Sequence, residues 1–151
     1  MFRQSGCICV VLTVVFSLPI TAAAQGRCSA RGIAGSWIVK CYGYLAPASS
    51  APLLPATLLG KATADEHGNW SGSGGTLSIG GTIVTQDVKS VGPAQVNPDC
   101  TGNITYSQTI DGQAGPNIHF NFIIGKHNDV IDGIGTDPGT VFSCTLTKVN
   151  D

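Results

Sequence analysis

Charge is scarce in this chain. Asp, Glu, Lys and Arg make up 11% of its 151 residues, 8 basic against 9 acidic, and the basic ones stand singly. Without a basic patch, nucleic acid and anionic membrane are poor candidate partners. Helical periodicity is missing too, because no stretch repeats apolar residues at three-and-four spacing over three turns. Beyond the first 24 residues no apolar run is long enough to enter a membrane as a helix, which takes about 20 residues. No two cysteines are spaced as CxxC, and the three histidines, His67, His119 and His127, fall on separate connections or faces without ligand spacing, so neither points to a metal. Gly72-Ser73-Gly74-Gly75 falls short of the hydrolase elbow Gly-x-Ser-x-Gly and lacks the lysine of a phosphate loop. No residue set reaches a catalytic or cofactor motif, and no cofactor is expected.

The N-terminus is the first positive feature. Arg3 precedes an almost wholly apolar run from Cys7 to Ile20, and Thr21-Ala22-Ala23-Ala24 supplies small residues before Gln25. These are the three parts of a secretory signal peptide. Cleavage after Ala24 removes 24 of the 151 residues and leaves 127, the size of one domain, with 7 basic and 9 acidic residues. The expected organisation is a signal peptide over 1–24 and one β domain over 25–151, secreted or periplasmic, with no membrane span after processing.

Cys7 and Cys9 leave with that segment, so Cys28, Cys41, Cys100 and Cys144 remain. Four cysteines in an exported chain imply two disulfides with three possible connectivities. Trp37, Val39 and Cys41 alternate on one face, as do Phe142, Cys144 and Leu146. If the first and last strands are neighbours in a closed barrel, Cys41–Cys144 pins the seam. Cys28–Cys100 then ties the lead-in to the loop before a middle strand.

Short alternating runs separated by turn chemistry fill the rest. Eight are predicted: Gly35 to Leu45, Ala56 to Asp65, Asn69 to Ile79, Thr82 to Val91, Thr101 to Ile110, Asn117 to Gly125, Asp129 to Thr136 and Thr140 to Val149. Between them lie Asp65-Glu66-His67-Gly68-Asn69, Gly80-Gly81, Asn97-Pro98-Asp99, Asp111-Gly112 and Asp137-Pro138-Gly139, almost all of hairpin length. The expected fold is therefore all-β, an antiparallel eight-stranded up-and-down barrel, with a β-sandwich as the alternative. The one long connection, Leu45 to Pro55 with Pro47, Pro52 and Leu53-Leu54, reads as a loop packed on the barrel end, a lid over its mouth being the alternative.

Six motifs in this order resemble a family of small exported bacterial barrel proteins, most of them uncharacterised: Cys28-Ser29; Gly35-Ser36-Trp37; Asp65-Glu66-His67-Gly68-Asn69; Gly81-Thr82-Ile83-Val84; Asp99-Cys100-Thr101-Gly102; and Thr136-Asp137-Pro138-Gly139-Thr140-Val141. The match covers nearly all of the processed chain. The resemblance implies a calycin-like barrel in which Cys28 and Cys100 form the shared bridge, with Cys41 and Cys144 an addition in this chain. Gly-x-Trp is also similar to lipocalins and avidins, and the barrel to the allene oxide cyclase type. No established activity comes with the resemblance.

Candidate chemistry is thin. His67 reads as a solvated hairpin tip and His119 as a side chain on the polar face of its strand. Asp129, Asp132 and Asp137 lack the distal glutamate of a calcium loop. Asp132 shares a face with Val130 and Ile134 and is expected as an inward acid, where burial would raise its pKa. Asn69-Trp70-Ser71 and Asn103-Ile104-Thr105 are glycosylation sequons, relevant only to a eukaryotic source, which the resemblance argues against. The expected interior is Trp37, Val39, Leu58, Ile104, Tyr106, Phe120, Phe122, Ile124 and Phe142, with Gly60, Ala62 and Ala64 leaving room on one wall. Of these, Trp37, Tyr106, Phe120 and Phe122, with Asp132, are the candidate ligand pocket. Three functions compete: an exported non-enzymatic protein holding a small apolar molecule in the barrel, a structural or surface-interaction module with a filled barrel, and a barrel isomerase or cyclase. A measurable cavity separates the first from the second; a buried acid beside it would favour the third. Oligomeric state is not readable from the sequence.

Overall fold

The turns fix where strands stop. Asp65 accepts backbone N–H bonds from His67 (2.9 Å) and Asn69 (2.8 Å), and Gly68 takes φ +86°, a region that side chains other than glycine rarely enter. Gly80-Gly81 adopts positive φ at both positions, the requirement of a two-residue hairpin. In the computed structural model, which describes residues 28–46 and 51–149, these turns separate eight strands: β1 (Gly35–Leu45), β2 (Leu54–Ala64), β3 (Asn69–Ile79), β4 (Thr82–Val96), β5 (Thr101–Ile110), β6 (Gln113–Ile124), β7 (Val130–Gly135) and β8 (Thr140–Lys148). The proposed signal peptide and Pro47 of the long connection lie outside the described residues.

Each strand pairs antiparallel with the next, and β1 pairs with β8 from Trp37↔Lys148 to Leu45↔Thr140, so the sheet closes as an up-and-down barrel. Closure leaves no free sheet edge, and it rules out the sandwich alternative. Cys41 stands opposite Cys144 in the β1–β8 ladder and is bonded to it, with Cα atoms 4.0 Å apart. Cys28 is bonded to Cys100 in the turn before β5. Both bridges match the sequence expectation.

Three strands depart from their expected limits by more than one residue at an end, and each time a proline sits where the ladder can spare a donor. β2 begins at Leu54, taking in Pro55 opposite Tyr44. β4 runs on through Pro93 to Val96, with a break in its β5 pairing between Val91 and Ala94. β6 starts at Gln113 and carries Pro116 in a stretch that has no β7 partner, since that pairing begins at Phe120.

One barrel end is plugged by a short 3-10 turn, Ala30–Ile33, that the sequence pattern did not announce. Ile33 is fully buried, and its carbonyl accepts the Trp37 indole N–H at 3.0 Å. Lys148 reaches the Gly32 carbonyl at 3.2 Å and lies over the Trp37 ring. Trp37, Trp70, Phe122, Ile124 and Ile131 form the core beneath this plug. A second cluster around Phe120 and the Cys41–Cys144 bridge stands higher in the barrel. Outward positions carry Lys40, Lys61, Lys89, Asn103, His119 and Asn121, interspersed with exposed apolar side chains such as Tyr42, Leu59, Ile123 and Ile134. No helix among the described residues is long and apolar enough to cross a membrane.

Candidate functional site: an apolar cavity inside the barrel

Between the two clusters the barrel is hollow. The space measures about 130 Å³ and is walled by Val39, Leu58, Ala62, Trp70, Val88, Ile104, Tyr106, Phe120, Phe122, Phe142 and Leu146, together with the Cys41–Cys144 bridge. Its existence follows from where the glycines fall. Gly60 on β2, Gly72 and Gly75 on β3 and Gly133 on β7 all face it. The first three belong to a stretch where β2, β3 and β4 approach so closely that a Cβ on Gly75 would stand 3.0 Å from Val88 Cβ and one on Gly60 3.3 Å from Gly75 Cα. The β3–β4 ladder bulges between Gly72 and Gly75, which bends the wall there. Aromatic rings fill the barrel opposite this wall, Tyr106 stacking on Phe120 at 6.1 Å, but nothing on the glycine side reaches across to meet them.

Four of the five expected pocket residues are inward, and three line the space. Tyr106, Phe120 and Phe122 stand in the cavity wall, as do Gly60 and Ala62 of the expected small-residue face. Trp37, 1% exposed, lies one layer away under the 3-10 plug, packed at a tilt against Trp70 with ring centroids 5.7 Å apart. Trp70 takes its place in the lining and was missed, because its inward neighbours along β3 are glycines that leave no alternation to read. Asp132 requires correction. It is exposed on the outer face, accepting a hydrogen bond from Thr145 Oγ1 at 2.7 Å. The inward set of β7 is Ile131, Gly133 and Gly135; Val130, Asp132 and Ile134 share a face as expected, but that face is the outside.

The polar groups in the cavity wall are few. Burial, with the charge of Asp137 adding to it, pushes the Tyr106 phenol well above its ordinary value, so it is neutral throughout the physiological range. The Trp70 indole N–H is buried and has no acceptor among the described residues. None of the described residues that line the space carries a carboxylate. Among the described residues no three His, Cys, Asp or Glu side chains gather as a metal site.

The remaining candidates are outside the barrel and serve its turns. His119 is half-exposed; its ring Nδ1 lies 2.6 Å from Asp137 Oδ1, and its backbone N–H donates to Asp137 Oδ2 at 2.8 Å. Partial burial works to raise the Asp137 pKa, but these bonds from His119 outweigh it and hold the carboxyl below the usual range. Asp99 accepts from the backbone and side chain of Thr101, at 3.1 and 2.7 Å, closing the turn that presents Cys100. Gly102 then leaves a bare backbone over which the Phe122 ring lies; a Cβ there would collide with it. His67 and His127 are exposed in turns. A shallow outer concavity across β5 to β8 holds Asp132 beside the exposed Tyr42, Ile123 and Ile134.

Comparison of the chain with protein-family models, curated proteins and solved structures finds no match. The site is therefore argued from its own geometry.

Proposed function

We propose that this chain is an exported, non-enzymatic binding protein that holds one small apolar molecule inside its barrel, and that it belongs with the small exported calycin-like barrel proteins its motifs resemble. The cavity carries the reading. A closed eight-stranded sheet has room either for its own side chains or for one small ligand, and here the wall leaves about 130 Å³ lined almost wholly by carbon. An engineered apolar cavity of about 150 Å³ is known to stay dry and to admit benzene or xenon. Two disulfides suit an oxidising compartment, and the N-terminal 24 residues read as an export signal, which supports a location in the periplasm or outside the cell. N-terminal sequencing of the protein from its source should begin at Gln25.

A surface-interaction role is the second reading, favoured by the exposed Tyr42, Ile123 and Ile134 around the outer concavity. An inward acid beside the cavity would have favoured the isomerase or cyclase reading, and Asp132 faces outward. Native mass spectrometry of protein purified from its source tests binding directly. A small non-covalent mass that disappears on collisional activation is the expected result. Protein that is always bare, and that takes up no apolar probe in titration, would remove the binding reading and leave the surface one.

A further inference from the structure

The two tryptophans of the chain pack against each other but differ in one respect. Trp37 Nε1–H donates to the Ile33 carbonyl at 3.0 Å. Trp70, only 7% exposed, has no acceptor for its Nε1–H anywhere among the described residues. Such a donor costs about 1–3 kcal/mol when left unpaired, and buried polar groups in folded proteins are paired as a rule. Trp70 also forms part of the cavity wall. Other atoms of the ring line the cavity while Nε1 itself is covered, so the orphaned donor and a ligand-sized space adjoin at one side chain, and a small shift of the ring brings them together.

We propose that the cavity selects a neutral one-ring molecule bearing a hydrogen-bond acceptor, a small aromatic or alicyclic carbonyl compound, which accepts from Trp70 Nε1–H. This rests on the binding reading above and narrows it. An indole nitrogen only donates, so the complementary group is an acceptor; an ammonium offers nothing to it, and a hydrocarbon leaves it unpaired. Charge is excluded by the surroundings: the lining has no buried cation or carboxylate, and its single ionised side chain, Lys61, is exposed. An ion would lose its hydration there without compensation. The volume, close to that of a cavity known to admit benzene, sets the size at one ring with a short substituent. Tyr106, also in the cavity wall and stacked on Phe120, supplies a neutral hydroxyl that can serve the acceptor's second lone pair or a ring substituent.

The test compares two near-isosteric probes, acetophenone and ethylbenzene, titrated calorimetrically into the full processed protein and into the Trp70→Phe variant. The expected result is that acetophenone binding weakens about 2- to 12-fold in the variant, the equivalent of one net neutral hydrogen bond, while ethylbenzene binding is unchanged or tighter. In the unmodified protein the indole ¹H–¹⁵N spectrum gives an independent readout should the variant not fold. Acetophenone should move the Trp70 Nε1–H signal downfield and leave that of Trp37, already bonded, in place. If both probes bind and neither depends on Trp70 in either measurement, the acceptor rule is overturned while cavity binding stands. If neither probe binds the unmodified protein, cavity binding itself fails and the acceptor rule with it.

Discussion

Replacing Ala62 by leucine asks whether the barrel is hollow, through the sign of a stability change. Ala62 lies on β2 in the cavity wall, between Trp37 on β1 and Gly72 on β3. At roughly 24 cal/mol per Å³, a void of 130 Å³ corresponds to about 3 kcal/mol of forgone packing. Leucine adds three carbons, worth about 0.8 kcal/mol each when buried, and loses about 0.5–1 kcal/mol of rotamer freedom. The net expectation is a stabilisation of about 1.5 kcal/mol. Urea unfolding followed by tryptophan fluorescence measures it: the midpoint should rise with the slope unchanged, because the surface exposed on unfolding is nearly the same. The same variant should bind apolar probes more weakly. A filled interior would give the opposite sign, since an extra side chain forced into a close-packed core destabilises by about 1–3 kcal/mol. A lowered midpoint with intact folding would refute the reasoning.

Three further outcomes follow from the same geometry. Replacing Cys41 and Cys144 together by alanine opens a link spanning 103 residues, and replacing Cys28 and Cys100 opens one spanning 72; each should lower unfolding stability by about 4 kcal/mol in urea titrations, the seam pair marginally more. Gly102→Ala should destabilise by about 1–3 kcal/mol and disturb Phe122 in the cavity wall, visible as lost probe affinity in titration. Acid should unfold the protein through carboxylates held below their unfolded values: hydrogen bonds from Asn69 depress Asp65, hydrogen bonds from Thr101 depress Asp99, and His119 outweighs partial burial at Asp137. Their stabilising contribution is complete above the unfolded carboxylate pKa of about 4 and disappears as pH falls through the lower folded values. Asp137→Asn should therefore lower stability at pH 7 and flatten part of the stability loss between about pH 4 and pH 2, measured by thermal melts across pH.

Turn chemistry made the fold legible. Asp65 to Asn69, Gly80-Gly81, Asp99 to Gly102 and Asp137 to Gly139 carry information within a few residues, so strands β1, β3 and β5 end where the sequence says they should. The same turns explain the shared motifs as architecture, which is why the resemblance brought a fold and no chemistry. Long-range placement was legible only where side chains alternate. Cys41 and Cys144 lie on apolar faces and met across the seam as expected. On β3 and β7 glycine takes many of the inward positions, so Val130 and Ile134, two of the three apolar residues of β7, carry the visible alternation on the outer face, and Asp132 was assigned to the wrong side with them. Trp70 escaped notice for the same reason. The plug turn at Ala30–Ile33 carries no periodic signal at all, being only four residues long.

The most direct measurement is a crystal structure of the processed protein under xenon pressure. A hollow, apolar barrel should show a xenon site enclosed by Trp70, Tyr106, Phe120 and Phe142. An interior without xenon, its rings closed against the glycine wall, would contradict the account.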